Sequence, residues 1–187
     1  MGWQRFLGIP IAPDGAAGAA APDDAADTQT VRRIVTRLEA LPRDEARFLA
    51  AFAYILTRAA AADLEISEAE SQVIERLVAE HGKLPESHAV LVAQMAKTQS
   101  LLYGGTEDYL VTRQFKDIST DEQRRALLRC CYLVGAADDD ISVAESDTLQ
   151  QIAAELDIDR AAVNEIRHEF EPKLSTIKAM LRLREGG

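Results

Sequence analysis

Residues Ala61–Ser71 read AADLEISEAES, and seventy-five positions later Ala136–Ser146 read AADDDISVAES. Extended to Ala61–Glu80 against Ala136–Glu155, the two windows share ten of twenty residues, more than an alanine-rich composition gives by accident. Each window is an acidic turn followed by a helix start, and each is preceded by apolar residues at helical spacing. The copies span about 47–80 and 123–155, and each reads as helix, acidic turn, helix. Apolar residues at i, i+3, i+4 recur in VRRIVTRLEAL (Val31–Leu41) and FLAAFAYILTRAA (Phe48–Ala60), and no alternating run is long enough for a strand. The pattern predicts an all-α fold with an internal pseudo-two-fold repeat. Helices are expected at about 29–40, 44–62, 68–81, 86–103, 106–117, 121–136, 143–156, 160–170 and 172–184. Pro42, His81-Gly82, Pro85, Gly104-Gly105 and Pro172 mark the breaks.

The bulk composition narrows the function. Twenty-one Lys and Arg against 31 Asp and Glu leave a formal charge of −10, which repels a polyanion and argues against nucleic acid as a partner. The low aromatic content, 5%, with abundant alanine suits closely packed helices. Cys130 and Cys131 are adjacent in an apolar stretch, which reads as reduced core thiols and not as a disulfide framework. MGWQRFLGIPIAP (Met1–Pro13) lacks the apolar run of a secretory signal, and no stretch reaches the roughly 20 apolar residues of a membrane span. The expected location is cytoplasmic. Residues 1–28, with the Ala/Gly/Pro/Asp-rich APDGAAGAAAPDDAAD (Ala12–Asp27), are expected to form a flexible segment. Residues 29–187 are expected to form the helical domain.

Two readings of the acidic turns stay open. Ser67-x-x-Glu70 and Ser142-x-x-Glu145 match the capping box, in which serine accepts from the N3 amide and glutamate reaches back to the serine N–H. Acidic residues before a helix N-terminus are also favoured by its dipole. On this reading the turns only start helices. On the other, Asp63, Glu65 and Glu70, with Asp138, Asp140 and Glu145, hold a cation. Their spacing is that of the second half of an EF-hand loop. They are not EF-hands, because Val134 and Ala136 stand where earlier oxygen ligands belong. One turn supplies about three of the six to eight oxygens that a hard cation takes, so the two turns would have to share one ion.

The repeated A-x-x-D-x-x-I-S-x-x-E pattern, once after each of two helices, resembles the TerB-like family. That family includes the tellurite-resistance TerB proteins and the N-terminal region of a membrane-anchored DnaJ-type co-chaperone. The similarity covers about residues 30–170. Where the family pattern has glycine after the first aspartate, this chain has Leu64 and Asp139. The resemblance implies an all-helical domain with internal symmetry, whose acidic cluster takes a divalent cation, Ca²⁺ being the first candidate. By position the ligands would be Asp63, Glu65 and Glu70 with Asp138, Asp140 and Glu145. It further implies a non-enzymatic module of stress or tellurite-resistance systems with membrane-associated partners.

Other chemistry finds little support. Glu165-x-x-His168 matches half of a di-iron motif, but neither His81 nor His88 has a glutamate three residues before it. YGGTEDY (Tyr103–Tyr109) reads as a helix-to-helix turn, because a phosphate loop would need a longer frame and a lysine. No nucleophile carries a local catalytic signature, so the chain is not expected to be an enzyme. Two candidates follow: a cation-binding accessory or sensor module, or a metal-free adaptor whose acidic face recruits a basic or membrane-associated protein partner. The tail, with Lys173, Lys178, Arg182 and Arg184 among apolar residues, reads either as a last helix or as a partner- or membrane-binding end.

Overall fold

The computed structural model describes residues 41–63 and 65–185. The residues from Arg47 onward form one compact unit. The expected helix at 29–40 and the segment 1–28 lie outside the described residues. Among those described there are seven α-helices and no strands: α1 (Arg43–Ala60), α2 (Glu68–Gly82), α3 (Glu86–Ile118), α4 (Asp121–Gly135), α5 (Val143–Glu155), α6 (Arg160–Glu169) and α7 (Ser175–Glu185). Single 3₁₀ turns at Ala61–Asp63 and Glu171–Lys173 complete the described chain.

Every residue from Ala51 to Ala60 is buried, so the second half of α1 is a central helix and not an amphipathic surface one. Its two polar members have partners: Thr57 Oγ1 donates back to the Ala53 carbonyl at 3.0 Å, and Arg58 is ion-paired. Around it, α2 packs along α3 and touches α4, α5 packs on α3 and α4, and α6 packs on α4. The core closes on Phe52, Phe115, Leu128, Ile152 and Leu156, each 2% exposed or less.

The helix starts follow local chemistry. Ser67, Thr120 and Ser142 each close a capping box, and Asp159 caps α6 by accepting from the Ala162 N–H at 2.9 Å. Two boundaries differ from expectation. The last helix begins at Ser175 and not at 172, after the 3₁₀ turn Glu171–Lys173. The predicted helices 86–103 and 106–117 are one 33-residue helix, α3, which runs through Gly104 and Gly105. A mid-helix glycine costs about 1 kcal/mol relative to alanine, an amount that packing of the two flanking halves readily offsets. Ser100 and Asp108, on either side of the glycines, are buried and half-buried.

Candidate cation site at the two acidic turns

The 3₁₀ turn Ala61–Asp63 lies against α5, the helix that the second acidic turn begins. This contact brings the two turns together. Each has the same internal wiring. In the first, Ser67 Oγ accepts from the Glu70 N–H at 3.2 Å, and Glu70 Oε2 accepts from the Ser67 N–H at 2.7 Å. In the second, Ser142 Oγ accepts from the Glu145 N–H at 3.1 Å, and Glu145 Oε2 accepts from the Ser142 N–H at 2.7 Å. Asp63 Oδ1 accepts from the Glu65 N–H at 3.2 Å, and Asp138 Oδ1 from the Asp140 N–H at 3.1 Å, so each aspartate braces the backbone two residues on.

The capping glutamates are the surprise of the site. A capping-box carboxylate ordinarily sits in water, yet Glu70 and Glu145 are each only 5% exposed, and the charge of Glu70 bears on Glu145. Burial pushes the Glu145 carboxyl up to about 7, and the neighbouring charges of Glu70 and Asp63 add to the rise. Burial likewise pushes Glu70 up, with the charge of Asp138 adding to it. The serine hydrogen bonds oppose both rises without cancelling them. The electrostatics are reciprocal: each glutamate feels the aspartate of the other turn. Gly135 makes room for this arrangement, since a Cβ there would stand 3.2 Å from Glu145 Oε1. The matching position of the first copy is Ala60.

Of the six candidate ligands, four therefore share one neighbourhood: Asp63, Glu70, Asp138 and Glu145. Glu65 and Asp140 take other parts. Glu65 is exposed and contributes its backbone N–H to Asp63. Asp140 Oδ1 accepts from Lys178 Nζ at 2.8 Å, and Lys178 also reaches the Asp139 carbonyl. Lys173 pairs with the Asp139 carboxylate and, through that hydrogen bond, holds it below the usual aspartate range. The second turn is further tied by a parallel bridge, in which the Ile141 N–H donates to the Lys173 carbonyl at 2.8 Å and the Ser175 N–H to the Ile141 carbonyl at 3.0 Å. Among the described residues, no group of three or more His, Cys, Asp or Glu side chains is gathered closely enough to hold a metal ion.

Asp139 stands where the family pattern has glycine, and its φ is 71°, the left-handed region that glycine adopts freely. Aspartate is among the few other residues that tolerate it. The half-motif at Glu165 and His168 is exposed, and His168 Nδ1 lies 3.1 Å from Glu171 Oε2. Cys130 and Cys131 are free thiols, both buried, and burial pushes the Cys130 thiol up to about 11.

Sequence reasoning missed a buried charged group close to the first turn. Arg58, five residues before Asp63, forms a two-pronged pair with Glu155 at the far end of α5, at 2.6 and 3.0 Å. It also donates to Thr112 Oγ1 at 2.9 Å and lies 3.4 Å from Asp108 Oδ2, which accepts from Tyr54 Oη at 3.0 Å. These partners are fifty or more residues away in sequence, so no local signal marks them.

A family model described as "Tellurite resistance protein TerB" matches residues 48–168. No curated protein and no solved structure matches the chain.

Proposed function

This chain belongs to the TerB family, and on that premise we propose that its two acidic turns together bind one divalent cation, with Ca²⁺ the first candidate. The observation that carries the reading is the burial of both capping glutamates, Glu70 and Glu145, with the charges of Asp138 and Asp63 bearing on them from the opposite turns. Two buried carboxylates cannot both ionise without a compensating positive charge, and only a proton or a cation supplies one. Glu70 and Glu145 would be the inner ligands, and Asp63 and Asp138 would have to close in on them to complete the set, since no three such side chains are gathered closely enough among the described residues. A bound divalent ion supplies positive charge that locks α2 and α5 together by their N-termini. With four side chains and water as ligands, affinity is expected on the order of 10⁻⁵–10⁻³ M. The protein would act as a non-enzymatic accessory or sensor module in stress or tellurite-resistance systems, its state set by ion occupancy.

Thermal unfolding after chelation, with Ca²⁺, Mg²⁺, Mn²⁺ and Zn²⁺ titrated back, tests this. An ion at a hundred times its dissociation constant stabilises the fold by about 2.7 kcal/mol. Asp63→Asn and Asp138→Asn keep a side chain able to brace the turn while removing charge, and each should abolish the response. No response to any of the four ions at millimolar concentration overturns the proposal.

One observation favours a second reading. Lys173 and Lys178 already sit on the second turn, so that turn accepts ammonium groups. A metal-free adaptor would extend this to a basic partner protein, captured in pull-downs, released by salt and indifferent to chelator.

A further inference from the structure

Two grooves border α6. The first, between α4 and α6, has a volume of about 590 Å³ and is lined by Asp121, Glu122 and Glu165 as well as by Arg125 and Arg129. Both arginines are already paired, Arg125 with Asp159 at 2.8 Å and Arg129 with Glu169 at 2.7 Å. The second groove, between α5 and α6, has a volume of about 570 Å³, and no acid lines it. Its polar groups are Arg160 and Arg167 with the amides of Gln150 and Asn164, and the rest of its wall is alanine, Ile158 and Val163.

Arg167 sets the second groove apart. Among the described residues two buried side-chain polar atoms have no hydrogen-bond partner, and Arg167 Nε is one of them. The other is the Tyr132 hydroxyl, on which the charge of Arg167 bears. The guanidinium is therefore shut off from water at Nε with no acceptor from the fold, while the same side chain lines the groove. A cation drawn partly out of water without a counter-charge is costly. An oxyanion in the groove offsets that cost by charge-assisted hydrogen bonds, for which the planar guanidinium fork is suited. Arg160 is an ordinary exposed cation and adds only its positive charge to the same space.

We propose that the α5–α6 groove binds a small organic anion, with its carboxylate or phosphate head on Arg167 and its apolar body against Ile158 and Val163. The volume lies in the range of small-ligand pockets, and a mostly apolar wall with a few convergent polar groups is their usual make-up. Gln150 and Asn164 each bring an amide NH₂ that donates to such a head. The net charge of −10 repels a polyanion spread over the surface. A single small anion inside a groove answers chiefly to the groups that line it, here two positive and none negative. The groove shares no residue with the acidic turns, so this assignment stands independently of the cation site.

The test is a titration of the full, chelated chain with phenyl phosphate and with benzoate, followed by backbone amide chemical shifts. Inorganic phosphate serves as the head group alone and benzyl alcohol as the uncharged control. The expected result is a saturable shift confined to about residues 150–167, weaker with inorganic phosphate and absent with benzyl alcohol. The tighter of the two organic anions identifies the head group. Arg167→Gln should weaken binding about ten- to a hundredfold, the worth of a hydrogen bond to a charged group. Arg167 is half-buried, so a second variant guards against misfolding. Ala154 lines the groove and is exposed, so Ala154→Glu should leave circular dichroism and melting temperature unchanged while its carboxylate abolishes binding. No saturable shift with either organic anion at millimolar concentration overturns the proposal. Shifts centred elsewhere overturn it too, as does binding that either folded variant leaves unchanged. Inorganic phosphate binding as tightly as phenyl phosphate overturns the organic ligand, and benzyl alcohol binding as tightly as the anions overturns the role of Arg167.

Discussion

Replacing Glu155 by alanine strands the Arg58 guanidinium in the interior. The two side chains are 9% and 5% exposed, and their contact is two-pronged, at 2.6 and 3.0 Å. Burial alone would push the Glu155 carboxyl up, yet the hydrogen bonds and charge of Arg58 outweigh that and hold it below its ordinary value. Removing one member of such a buried pair costs about 3–5 kcal/mol. Asp108, 3.4 Å from Arg58 Nε, and Thr112 remain as partial compensation, so the expected loss is the lower end, about 3 kcal/mol. For a domain of this size that lowers Tm by roughly 6–12 °C. Urea unfolding should show the midpoint falling with little change in slope. The double variant Arg58→Met with Glu155→Leu should recover most of the loss, because no charge is then left uncompensated. A loss under about 1 kcal/mol would refute the reasoning, since that is the worth of a hydrated surface pair.

Three further outcomes are expected. Glu145 has a folded pKa of about 7 against an ordinary 4.5, so its contribution to stability is fully present below about pH 4.5 and is lost as pH rises through about 7. Chelated protein should therefore lose stability across that window in pH-resolved melts, and Glu145→Gln, which keeps the capping box, should flatten the fall. Lys178→Met frees the Asp140 carboxylate and should lower the midpoint of a cation titration about two- to fivefold, whereas a midpoint that rises would count against a shared site. Tyr132 is 1% exposed, stacks on Phe170 with centroids 5.3 Å apart, and its hydroxyl finds no hydrogen-bond partner among the described residues. Tyr132→Phe should leave stability unchanged or raise it by up to about 1 kcal/mol, read from denaturant midpoints.

Much of the fold was legible because its signals are local. Capping boxes at Ser67 and Ser142, proline punctuation and the 3.6-residue period set most helix limits to within a residue or two. The same S/T-x-x-E/Q rule, applied at Thr120 and Gln123, would have marked the third box as well. Gly104-Gly105 misled because a break was inferred from propensity, whereas tertiary packing on both sides holds α3 continuous. At the site, sequence gave the residue types but not their environment. Nothing in Glu70 or Glu145 announces burial; that follows from the turn Ala61–Asp63 packing on α5. The lysines that cover Asp139 and Asp140 come from more than thirty residues downstream, beyond the reach of any spacing rule.

The bridge between Ile141 and Leu174 makes the two acidic turns unequal in time as well as in structure. The first turn closes its box and aspartate brace with residues from Asp63 to Glu70 alone. The second has the same local bonds, but its backbone is clamped only when Lys173 to Lys178 arrive, some 34 residues after Asp139 leaves the ribosome. Without Lys173 to Lys178 in place, the second turn keeps its capping box and aspartate brace but loses this backbone clamp.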